Sequence, residues 1–137
     1  MTVADEIQDH QARCLSHLIS LRMLARGEAG VPLPRWAAAE VTQAAGAILA
    51  EAEAAGRAAL TAARSGRHNP GDGTFLRVRL DRLAAAADDA VAAARAGNSA
   101  EMGRHLRRFD ALASAIWTVQ QAVYDPAPIP VQRSRLR

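Results

Sequence analysis

Three residues near the start of the chain have the types and spacing to do chemistry. In the stretch His10-Gln11-Ala12-Arg13-Cys14-Leu15-Ser16-His17, steps of four and three residues set His10, Cys14 and His17 on one face of a helix. Imidazole and thiolate together are a suitable donor set for zinc. Three ligands on successive turns of one straight helix span about 10 Å, too far for all of them to reach one ion at ~2.0–2.3 Å. Such a site therefore takes two of them plus a group from another helix, and His105 or Asp110 is the candidate. The competing reading makes Cys14 a small apolar filler of the core, with the histidines at its edge, hydrogen-bonded to backbone or carboxylate.

The same stretch resembles the HxxxCxxC motif of zinc-associated anti-sigma factors, which are small helical cytoplasmic proteins. His17 stands where that motif has its last cysteine. The resemblance covers His10 to His17 and implies a zinc-binding helical regulator.

Signals for catalysis are sparse. The chain has no glycine-rich phosphate loop, nucleophile elbow or HExxH, and Gly71-Asp72-Gly73 is too short to be more than a turn. The paired acids Asp88 and Asp89 are adjacent on a helix, so their side chains diverge. The expectation is a protein that is not an enzyme.

All seventeen basic residues are arginine. With so much alanine, that bias reads as a G+C-rich genome more readily than as selection for guanidinium chemistry, and a formal charge of +3 permits nucleic-acid contact without arguing for it. The arginines cluster as Arg64, Arg67, Arg77, Arg79 and Arg82, as Arg104, Arg107 and Arg108, and as Arg133, Arg135 and Arg137 near the C-terminus. Asp81 and Asp110 follow the first two clusters closely, which favours ordinary ion pairs over a phosphate-binding stripe. The two indoles, Trp36 and Trp117, fit interface anchors as well as they fit core fillers.

Helices must position these residues. Thr2 is a good N-cap for a first helix running to about Arg26, with Asp5 and Glu6 in its first turn and Gly27 as its stop. Its inward stripe reads Ile7, His10, Cys14, His17, Leu21 and Leu24, widened by Leu15, Leu18 and Ala25. After the stiff connector Gly30–Pro34, the alanine-rich stretch Pro34–Ser65 predicts the longest helix, with a seam of Val41, Ala45, Ile48, Ala52, Ala55, Ala59 and Ala62 flanked by Leu49 and Leu60. A seam of alanine lets partner helices approach closely.

Asn69–Gly73 is the densest turn signal, and Thr74 is the expected N-cap of a third helix from Phe75 to about Ala96. Its seam is Leu76, Leu80, Leu83, Ala87, Ala90 and Ala94, and Gly97 closes it. Asn98 and Glu101 have capping-box spacing for a fourth helix, whose seam reads His105, Phe109, Leu112, Ile116, Val119 and Val123, broadened by Leu106 and Ala113. Asp125-Pro126 ends it, and residues 126–137 read as an extended tail containing proline and arginine.

Four amphipathic helices with short links predict an all-α, up-down-up-down bundle over residues 1–125, with helical hairpins that dimerise as the competing architecture. A single cysteine and an acidic first turn fit a reducing cytoplasm, and no run is apolar for long enough to span a membrane. The leading functional expectation is protein–protein contact or self-association in a regulatory role. A nucleic-acid-associated regulator using the arginine clusters and basic tail, and the zinc-binding regulator, stand as alternatives.

Overall fold

The computed structural model describes residues 2–26, 33–63 and 72–124, with side chains omitted at 3, 4, 62, 63, 72 and 121–124. Four helices account for nearly all of these: α1 (Val3–Ala25), α2 (Ala37–Ala63), α3 (Asp72–Arg95) and α4 (Ser99–Tyr124). They form the expected all-α bundle. None of them is long and apolar enough to cross a membrane. Gly27, most of the Gly30–Pro34 connector, Arg64, Arg67, Asn69 to Gly71 and the whole tail, Arg133, Arg135 and Arg137 included, lie outside the described residues.

The capping chemistry follows from the sequence at α1. Thr2 Oγ1 accepts the Asp5 N–H at 3.1 Å and the Asp5 carboxylate accepts the Thr2 N–H at 3.1 Å, a reciprocal box at the positive end of the helix. Between α3 and α4, Gly97 takes φ 71°, which costs a residue without Cβ little. That turn lets the Asn98 N–H reach the Ala93 carbonyl at 2.9 Å and the Gly97 N–H reach Ala94 at 3.1 Å, closing α3 in a Schellman motif. Asn98 also caps α4, its Oδ1 accepting the Glu101 N–H at 3.1 Å. One residue thus ends a helix and starts the next. The Glu101 carboxylate does not complete the predicted box; it turns to Arg104, with which it makes an i,i+3 ion pair.

The seams of α2 and α3 fall where the spacing puts them. Val41, Ala45, Ile48, Ala52, Ala55 and Ala59 on α2, and Leu76, Leu80, Leu83, Ala87, Ala90 and Ala94 on α3, are all buried. The other two helices are rotated from expectation. On α1 the buried residues are Ile7, Cys14, Leu18 and Leu21, which leaves His10 and His17 on one flank and turns Leu15 outward. On α4 the seam is Met102, Leu106, Phe109, Ala113, Ile116 and Gln120, and His105, Leu112 and Val119 are only partly buried. α3 also begins at Asp72, two residues before the expected cap at Thr74. Gly73 is tolerated there because a first turn leaves its N–H groups without intrahelical partners in any case.

The bundle is not square. α2 touches α1, α3 and α4, whereas the backbones of α1 and α3 stay apart among the described residues, Ile7 and Leu76 joining one small apolar cluster with Ala59 between them. α2 and α4 therefore define a short diagonal. Alanine on α2 is the physical reason, since a small seam lets the opposite helix approach its backbone. Phe109, Ile116, Leu106 and Met102 of α4 supply the bulk that α2 lacks.

Candidate functional site

The residues expected to hold a metal are placed, but not together. Cys14 is fully buried in the main apolar cluster, and burial, reinforced by the nearby Glu51 carboxylate, pushes its thiol up to about 11. Such a group is a protonated core side chain at neutral pH. His10 lies beside it on the α2 side, with Nδ1 turned to Glu51 Oε2. Arg13 Nε donates to the other carboxylate oxygen, Oε1, at 3.0 Å. Arg13 Nη2 also stands 2.9 Å from His10 Nδ1, but with that nitrogen's hydrogen turned to Glu51 the approach adds no hydrogen bond. First His10 and then Arg13 hold the Glu51 carboxyl below its ordinary range, and Glu51 in return raises Arg13.

His17 sits half-buried on the same flank, and His105 belongs to a different end of the bundle. Its Nε2 is 3.6 Å from Glu101 Oε2. Asp110, expected near Cys14, instead takes a two-pronged pair with Arg22, Nε to Oδ2 at 2.8 Å and Nη2 to Oδ1 at 2.9 Å. In the structure Gly103 stands against the Ala25 carbonyl, which sets Asp110 past Cys14 towards the C-terminal end of α1, where the Arg22 guanidinium reaches it. Among the described residues no group of three or more His, Cys, Asp or Glu is placed to hold an ion. His10, Cys14, His17 and His105 do not form such a group among the described residues.

The indoles separate. Trp117 is 7% exposed and packs in the main core, so it fills space inside the bundle and offers no outward anchor. Trp36, just before α2, is 58% exposed. The arginines within the described helices are largely spoken for by near neighbours: Arg57 with Glu53, Arg77 with Asp81, Arg104 with Glu101, and Arg79 over the Phe75 ring at 4.7 Å.

What the sequence reading missed is the outer face of α1. Leu15, Ile19 and Met23 recur every four residues and are 53, 47 and 68% exposed. That spacing lines them along one side of the helix, with Ala12 continuing the row towards the N-terminus. The signal was present in the sequence, because α1 carries more large apolar residues than a single inward stripe can absorb. At the C-terminal end of this face opens a cleft of about 230 Å³ between α1 and α4, lined by Arg22, Ala25, Arg26, Leu106, Arg107 and Asp110. It holds three guanidinium groups against one carboxylate. Arg107 reaches across to the Ala25 carbonyl at 3.4 Å, and Gly103 permits that approach, since a Cβ there would stand 3.1 Å from the same oxygen.

Compared with protein-family models, curated proteins and solved structures, the chain gives no significant match to any of them.

Proposed function

We propose that this chain is a non-enzymatic helical protein that works through protein–protein contacts, by self-association or as a regulatory subunit. The observation that supports this reading is the row Leu15, Ile19 and Met23 on the outside of α1. Single exposed apolar residues are ordinary on any surface, but a contiguous row on one helix, bordered by polar and charged groups, is the character of a surface that binds another protein. The ion pairs that engage Arg22, Arg57, Arg77 and Arg104 favour this reading over nucleic-acid contact, because a guanidinium already on a carboxylate has less to offer a phosphate.

Affinity purification with the intact chain and with an Ile19→Asp variant as baits tests it. A second copy or a stoichiometric partner should be retained by the first and lost by the second. Identical retention by both, together with a strictly monomeric chain, contradicts the reading. Tight, steeply salt-dependent binding of nucleic acid by a monomer would replace it.

A further inference from the structure

The outer face of α1 is self-complementary. Its N-terminal end is acidic, with Asp5 and Asp9 exposed, its middle is the apolar row, and its C-terminal end is basic, with Arg26 exposed beyond the Arg22–Asp110 pair. A face that runs from negative to positive matches a second copy of itself laid antiparallel, and a two-fold axis then forms every contact twice. We infer that the chain forms a homodimer in which the α1 helices of two copies pack antiparallel through Leu15, Ile19 and Met23. The inference rests on the reading of the protein as an interaction module and commits that reading to one partner.

The register follows from charge and size. Setting Asp5 of one copy beside Arg26 of the other brings Ala12 beside Ile19 and Leu15 beside Ser16, so small residues face large ones about an axis near Leu15 and Ser16. In that arrangement the carboxylate of Asp5 enters the mouth of the basic cleft between α1 and α4 of the second copy. Among the described residues the cleft lines up more guanidinium groups than carboxylates, which suits it to an incoming carboxylate. The contact is essentially one helix against one helix, which places it at the small end of specific interfaces and makes the dimer concentration-dependent.

Sedimentation equilibrium of the full chain, the Ile19→Asp variant and the Arg26→Glu variant tests this, with helicity and melting temperature recorded to show that all three fold. The chain of 14.5 kDa should sediment towards twice that mass as concentration rises, Ile19→Asp should stay monomeric, and Arg26→Glu should raise the dissociation constant at least tenfold at low salt and less at high salt. A dimer that survives both substitutions overturns the α1 interface while leaving self-association through another face. A monomer that captures a different protein through Ile19 overturns the homodimer and leaves the interaction reading intact. A monomer that dimerises once residues 125–137 are removed assigns the face to the chain's own tail and also overturns it.

Discussion

Gln120 Nε2 donates to the Ala52 carbonyl at 2.7 Å across the short diagonal of the bundle, and Gln120 is fully buried. The carbonyl's second lone pair makes this bond compatible with α2's own ladder. The other side-chain atom, Gln120 Oε1, has no partner among the described residues. One good hydrogen bond and one unmet acceptor nearly offset each other, so Gln120→Leu should alter stability by no more than about 1 kcal/mol, whereas Gln120→Ala should cost about 2 kcal/mol by opening a void. Chemical denaturation measures both. A loss with leucine as large as with alanine would show that the hydrogen bond, not the volume, holds the diagonal.

Gly56 lies under the same amide. A Cβ there would stand 3.3 Å from Gln120 Nε2, tight enough to displace it. Alanine in a helix interior ordinarily gains about 1 kcal/mol over glycine. Gly56→Ala should therefore gain little or lose stability in the native background, and recover most of that gain when Gln120 is alanine. Equal effects in the two backgrounds, measured as a double-mutant cycle, would mean the two residues do not touch energetically.

Much of this architecture was legible in the sequence, and the failures have a common cause. The seams of α2 and α3 are mostly alanine and leucine in strict four-three steps, and only one face of each helix fits that pattern. α1 and α4 each offer two rival apolar faces. Spacing alone put His10 and His17 in the stripe of α1 with Leu18 only widening it, and put Leu112 and Val119 in the seam of α4 with Ala113 only broadening it and Gln120 left out. A buried glutamine against a glycine cannot be seen until two helices are brought together. The height of Asp110 opposite Arg22 was equally invisible, because loop lengths do not fix how far one helix slides along another.

Acid should weaken the α1–α2 contact through Glu51. Its carboxyl is held below an ordinary value of 4.5 by His10 and then Arg13, so the unfolded chain binds the proton more readily. The contribution is complete above the ordinary value and disappears as pH falls through the depressed one. Asp5, lowered by the Thr2 N–H, adds in the same direction. Melting temperatures between about pH 7 and about pH 3 should show the gap between the native chain and Glu51→Gln closing as pH falls. A gap that is constant with pH would remove Glu51 from the acid limb.

Cys14 should behave as a core residue. With the thiol buried and pushed up to about 11, labelling by a thiol reagent at mildly alkaline pH should wait for unfolding and accelerate in proportion to denaturant. Rapid labelling of the native protein would place the thiol at the surface.

The antiparallel pairing of α1 is tested most directly by a covalent trap. Ser16 is exposed and lies at the proposed two-fold axis, so a Ser16→Cys variant should form a disulfide-linked dimer under mild oxidation, at concentrations where an Ala85→Cys control on the outside of α3 stays monomeric. Cys14 is left in place, since its burial keeps it out of the reaction. A covalent dimer from Ser16→Cys alone, abolished by adding Ile19→Asp, is the predicted result; equal cross-linking at both positions, or none at Ser16→Cys while the chain is dimeric by mass, contradicts the α1 interface.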